Sequence, residues 1–355
     1  MIISRITTTP VTIPYAAPIG PYVGRGGGSG TMGATGLILK IETESGLVGW
    51  GEGTGEFESD PGSLLGGQHA ADIENAIRIL EGNGVGRGPM SGVEMALWDL
   101  IGKRAELPLC RLLGGIVRTR VDFTACMGLK EPSQSAATAR EYIDRWGFKS
   151  IKTKAGNDPQ QDLAIAEAIQ KEIGSEAALR PDANGGYPAE QTVEIMQKMS
   201  NLGVRFFEDP CATTNVETLA QVRKETGIHI LVNGGIGLPE TVRPFLEQDA
   251  ADSLMPDTPA SGALLRVRKI ADIAAPWNVP CLMHCAHDLG LKTASIVHLA
   301  ASTPNFSGPN DTCYHGLVDD ILAKPLEFKN GQLDILTGPG LGVEVDESKI
   351  AKYRI

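Results

Sequence analysis

Six polar side chains recur at a steady interval through the second half of this 355-residue sequence: Lys154, Asp182, Glu208, Asn233, Asp257 and His284. Neighbouring members lie 24 to 28 residues apart, about the length of one strand plus one helix. Asp182 and Glu208 would supply two carboxylates and Asn233 an amide oxygen. Three oxygen donors with room for water suit Mg2+, a hard ion of octahedral preference. Lys152 and Lys154 form K-x-K, so on a strand both point to one face. Two ammonium groups side by side repel, which favours loss of one proton and makes a lysine a candidate base. Asp257 would fix the tautomer of His284 and raise its basicity. His284 and Lys154 would then flank a metal from opposite sides. That layout suits removal of the proton next to a carboxylate, giving an enediolate. Asn184, two residues beyond Asp182, and Arg25, in a Gly-rich loop, are candidate substrate contacts.

The stretch VPCLMHCAHDLG (279–290) could also be read as a zinc site, since it holds Cys281, His284, Cys285, His287 and Asp288. Closed zinc sites need four ligands converging on one point. Alternation along a strand would send these side chains to different faces. His284 is therefore read as the base, the two cysteines as strand packing, and His287 and Asp288 as the start of the next helix.

Such a ring of residues needs a scaffold that brings successive strand ends together. From about residue 118 short apolar strands alternate with amphipathic helices. The strands are RVDFTACMG, FKSIKTKAG, AALRPDANG, RFFEDP, IHILVNGG, DSLMPD and VPCLMHC, with an eighth near SGPNDTCYHG. Repeated βα units of this number predict a (β/α)8-type barrel, with a doubly wound open sheet as the alternative. Barrel enzymes carry their chemistry at the C-terminal strand ends, where the six residues fall. The first 117 residues differ. TGLILKIETESGLVGWGEG predicts a hairpin, PIGPYVGRGGGSGTMG a loop able to act as a flap, and SGVEMALWDLIGKRAELPLCRLLGG a helix capped near Ser91. This is a small α+β unit. Residues 118–324 form the barrel, and 325–355 return to the first unit.

Composition bounds the function. A formal net charge of −11 argues against non-specific nucleic-acid binding. No apolar run approaches the ~20 residues that cross a bilayer. Six cysteines scattered among apolar neighbours predict free thiols and a cytoplasmic protein rather than a disulfide framework. NGGIG (233–237) raises a competing class, a phosphate-binding barrel.

The motifs KTK (152–154), PDANG (181–185), FFEDPC (206–211), MPD (255–257) and MH (283–284), with GWGEG, ALWDLIGK and GPGLGVEVD, resemble the enolase superfamily in order and spacing. The likeness is to its mandelate racemase and glucarate dehydratase branches, and it spans nearly the whole chain. It implies a (β/α)7β modified TIM barrel under an α+β capping domain, Mg2+ as cofactor, and a small hydroxy-carboxylate as substrate. A homo-oligomer is also implied. The lysine-or-histidine base with Mg2+ is a known pattern of that superfamily. It further implies an acid on the eighth strand facing the substrate, for which Asp311, Cys313 and His315 compete. Most relatives carry an acid where this chain has Asn233. The implied activity is dehydration of an acid sugar or related hydroxy acid. Racemisation or epimerisation of an α-hydroxy acid is the alternative.

Overall fold

A computed structural model describes all residues, 1–355. Three antiparallel strands open the chain: β1 (Ile3–Pro14), β2 (Gly33–Thr43) and β3 (Val48–Gly53). The predicted hairpin joins β2 to β3, with Gly46 at a φ of 80° in its turn. The helix Arg87–Ala105 packs on β3. The spacing of GWGEG explains how. A Cβ on Gly49, Gly51 or Gly53 would strike the helix carbonyls of Ala96, Gly92 and Gly88. Three alternate glycines on one strand face let the two backbones touch.

That contact also corrects the predicted helix start. The helix begins four residues before Ser91, whose hydroxyl donates back to Gly88 O at 2.7 Å instead of capping. Close packing under β3, not a side-chain cap, sets the boundary.

The barrel strands follow: β4 (Arg120–Cys126), β5 (Ser150–Lys154), β6 (Ala178–Asp182), β7 (Phe206–Glu208), β8 (His229–Val232) and β9 (Ser253–Leu254). Each pairs in parallel with the next. The seventh stave is extended chain at 280–284, bridged to β9 through Leu254 and Cys281. The eighth, β10 (Asn310–Thr312), takes Asp311 N–H to Met283 O and pairs with β4. The ring is therefore closed, and the open-sheet alternative is overturned. The barrel's apolar core runs on into the cap through Val11, Ile13, Ile38 and Met95, and a second, smaller apolar core lies within the cap.

The helix Gly290–Ser302 was expected to be amphipathic, but every residue in it is buried. The cap covers its outer face. Glu52 of GWGEG accepts the N–H groups of Leu289 (2.7 Å) and Lys292 (2.8 Å) at its first turn, where a carboxylate is favoured. The C-terminal segment returns across the molecule. β11 (Gln332–Asp334) pairs with the start of β4. Leu341 N–H then reaches Asp99 of the cap helix at 2.9 Å, and Arg354 bridges to Val11 of β1. No helix is long and apolar enough to cross a membrane.

Candidate active site

The C-terminal strand ends surround a cavity of about 300 Å3. Lys152, Lys154, Asn184, Asn233 and His284 line it from the barrel. Tyr22, Gly24 and Thr31 line it from the cap loop between β1 and β2.

Period-two alternation places two polar side chains per strand inside the barrel. β5 contributes Lys152 and Lys154, β6 Arg180 and Asp182. Lys152 is almost wholly buried. Its Nζ lies 2.8 Å from Glu208, 2.9 Å from Asp311 and 3.1 Å from Asp182. Arg180 bonds Asp311 and approaches Glu208 Oε2 at 3.3 Å. Lys154 Nζ is 2.6 Å from Asp182 and 2.9 Å from the Asn184 side-chain oxygen.

This geometry corrects one expectation. The two lysines do not simply repel, because three carboxylates stand between and beside them. Burial opposes the charge on Lys152, yet Asp182, Asp311 and Glu208 outweigh it and hold its ammonium well above the usual lysine range. Among these acids Lys152 stands as a cation. Burial likewise opposes ionisation of Asp182, but Lys152 and Lys154 keep it well below the usual carboxylate range. Glu208 goes the other way. Burial and the nearby Asp182 push it up to about 7 against the pull of Lys152 and Arg180.

The donors fit a hard divalent cation. Glu208 Oε2 is buried and makes no hydrogen bond, although Lys152 Nζ and Arg180 Nε lie within ion-pair distance at 2.8 Å and 3.3 Å. Asn233 sends its Nδ2–H to Met255 O at 2.7 Å, which leaves Oδ1 free at the cavity wall. A carboxylate oxygen of Glu208, one of Asp311 and a ring nitrogen of His284 lie within 4.8 Å of one another. That grouping differs from the predicted trio of Asp182, Glu208 and Asn233. A site of oxygens around Glu208 is favoured over one using His284, because Nδ1 of His284 is engaged by Asp257 and Mg2+ prefers oxygen.

Nδ1 of His284 sits 3.1 Å from Asp257 Oδ2, while Asp257 Oδ1 meets Lys292 Nζ at 2.7 Å. Lys292 is buried and also contacts Asp288 at 2.7 Å. Burial would raise Asp257, but Lys292 and then His284 hold it below its usual range. The carboxylate therefore stays charged and orients the imidazole, leaving Nε2 for chemistry.

Some expectations do not survive as drawn. Arg25 does not line the cavity, and its backbone carbonyl accepts from Asn157 instead. Asp311 points at Lys152 and Arg180, so it acts within the ion cluster. Cys313 lines the cavity, whereas His315 lies outside it among Tyr142, Trp146, Phe148 and Phe328. The phosphate reading of NGGIG fails on charge: Asp209 already accepts Asn233 N–H (3.0 Å) and Gly234 N–H (2.7 Å). A carboxylate at those amides would repel a phosphate. All six cysteines are unpaired.

Arg180, Asp209 and Lys292 were missed from the sequence. Arg180 was findable as the i−2 partner of Asp182 on one strand face. Lys292 is the only lysine, arginine or acid in the helix Gly290–Ser302, which is a signal for a buried ion pair.

Family comparisons agree with this architecture. Residues 134–349 match the model described as "Enolase C-terminal domain-like", and residues 28–114 match "Mandelate racemase / muconate lactonizing enzyme, N-terminal domain". The chain is 29% identical over 350 residues to a D-galactarolactone cycloisomerase of Agrobacterium fabrum, covering 90% of this chain and 91% of that one. It is 26% identical to a probable glucarate dehydratase of Streptomyces coelicolor, over 89% and 83% of the two chains. The crystal structure of 2-chloromuconate cycloisomerase from Rhodococcus opacus superposes with a TM-score of 0.92 over the full length of both chains at 24% identity, which speaks to the fold. With both domains matched and the ring of strand-end residues in place, this chain belongs to the enolase superfamily, in its mandelate racemase and muconate lactonizing enzyme branch.

Proposed function

We propose that the protein removes the α-proton of a hydroxylated carboxylate through an enediolate, and that the reaction is dehydration of an acid sugar or related hydroxy acid. The observation that carries this reading is that Lys154 and His284, from the second and seventh staves, line one cavity beside the buried acids Asp182 and Glu208. Mg2+ is the cofactor this reading calls for, held by Asp182, Glu208 and the free Oδ1 of Asn233. When bound it would neutralise the substrate carboxylate and the charge that develops on it.

The chain's own groups divide the remaining work. Lys152 and Arg180 fix the positions of Glu208 and Asp311. Lys154 and His284 approach a substrate from two sides. One takes the α-proton, and the conjugate acid of the other protonates the departing β-hydroxyl. The same two-sided layout favours a second reading, 1,1-proton transfer in a racemase or epimerase. Incubation with acid sugars and α-hydroxy acids in D2O separates them. Keto-acid formation marks dehydration. Deuterium at the α-carbon with inverted configuration and no keto acid marks the racemase.

A further inference from the structure

The cavity wall carries a histidine that the proton chemistry does not use. His287 lines the cavity from the loop after the seventh stave. Its φ is 63°, a left-handed conformation costly for a residue with a Cβ. Two cap residues hold its ring. Tyr15 OH is 2.8 Å from Nδ1, and the Tyr22 ring stands edge-on with centroids 4.6 Å apart.

The contact with Tyr15 favours one tautomer. Tyr15 is buried and its hydroxyl has no other partner. If Nδ1 carried hydrogen, the phenolic hydrogen would have no acceptor. The phenol therefore donates to Nδ1, and Nε2 carries the imidazole hydrogen. Nε2 has no protein partner. Burial, with Lys154 and His284 nearby, lowers the imidazole to about 4, so it stays neutral.

The rest of the lining narrows what this N–H can meet. The cavity's only lysines or arginines are Lys152, committed to carboxylates, and Lys154, which the proton chemistry uses. A second substrate carboxylate would find no counter-charge there. Resting on the α-proton reading above, we propose that His287 is a specificity-determining residue whose Nε2–H donates to a hydroxyl oxygen of a monocarboxylic sugar acid, away from the reacting carboxylate.

The test uses gluconate and arabinonate, each beside its singly deoxygenated analogues and its dicarboxylic counterpart, with Mg2+ present. Two readouts are taken: α-proton exchange in D2O, and the 15N-labelled imidazole spectrum of His287, assigned by its loss in His287→Phe. The expected spectrum shows hydrogen on Nε2, and that signal shifts with one hydroxylated monoacid but not with its matching deoxy analogue. Exchange should favour the hydroxylated acid by about tenfold, the scale of one hydrogen bond. His287→Phe should bring the ratio near one. Tyr15→Phe, which frees the tautomer, should lower the ratio without removing the ring. Hydrogen on Nδ1, preference for the dicarboxylic acids, or an unchanged ratio in His287→Phe overturns the proposal. A selective Nε2 shift without any exchange sustains His287's role while sinking the α-proton reading. Exchange without that shift does the reverse, and neither signal sinks both.

Discussion

Nδ1 of His284 faces Oδ2 of Asp257 at 3.1 Å, and the second oxygen of Asp257 is held by a buried lysine at 2.7 Å. The imidazole is thus aimed by a carboxylate that is itself fixed. Lys292 does the fixing, and the cap reaches it, because Glu52 accepts the backbone N–H of Lys292. A chain of contacts runs from a cap strand through a barrel helix to the candidate base.

That chain predicts a stability effect. Lys292→Met would leave Asp257 and Asp288 buried without their cation. Breaking a buried pair from one side costs about 3–5 kcal/mol. Urea unfolding at pH 7 should show a loss of that order. A loss below about 1 kcal/mol would mean that Lys292 does not neutralise the two acids.

The metal reading predicts a graded response at Asn233, the sixth residue of IHILVNGG. Asn233→Leu removes the free Oδ1 and should raise the Mg2+ concentration needed for half-maximal activity by a factor of about 10 or more, the equivalent of about 1.4 kcal/mol. Asn233→Asp adds a charged oxygen and should lower it. Equal requirements in all three proteins would assign Asn233 to the turn alone.

Chelation tests the acids themselves. Exhaustive treatment with a chelator should abolish activity, and Mg2+ should restore it. Full activity of the double variant Asp182→Asn, Glu208→Gln would remove both residues from the metal account.

His315 gives a pH prediction. Both ring nitrogens are buried without partners, and burial, followed by Arg145, lowers the imidazole to about 3. The unfolded chain takes up this proton near pH 6.5, and the folded chain does not. Stability therefore falls as pH drops below about 6.5. His315→Phe should fit among the surrounding rings and remove this liability. Its advantage over the parent should grow between pH 7 and pH 5 by up to about 2 kcal/mol. Thermal unfolding of both proteins at the two pH values checks it. A difference that stays constant with pH would place the proton elsewhere.

The barrel was legible because its signal repeats. Each βα unit carries its own apolar strand and helical period, and the same interval delivers one polar residue to the rim. The cap hairpin was legible from its turn. What the sequence hid was tertiary. Ser91 looks like a helix cap until β3 packs against Gly88. The Gly290–Ser302 helix reads as amphipathic until the cap buries its polar face. In the site, like charges at Lys152 and Lys154 suggested repulsion. The carboxylates that reverse this for Lys152 come from β6, β7 and β10, up to 159 residues away. Arg25 failed for the opposite reason, since a loop's composition does not fix where its side chains end.

The central claim is that Lys154 and His284 serve one α-proton from two sides. His284→Asn cannot accept a proton, and its turnover should fall by a factor of roughly 100 or more, the usual scale of general acid–base catalysis. Asp257→Asn should follow more weakly. The direct measurement is α-proton exchange in D2O, by NMR, on both stereoisomers of an accepted acid. His284→Asn should exchange one stereoisomer through Lys154 while failing to complete turnover, and Lys154→Met should exchange the other. If His284→Asn exchanged both stereoisomers and turned over like the parent, His284 would be no base and the two-sided account would be wrong.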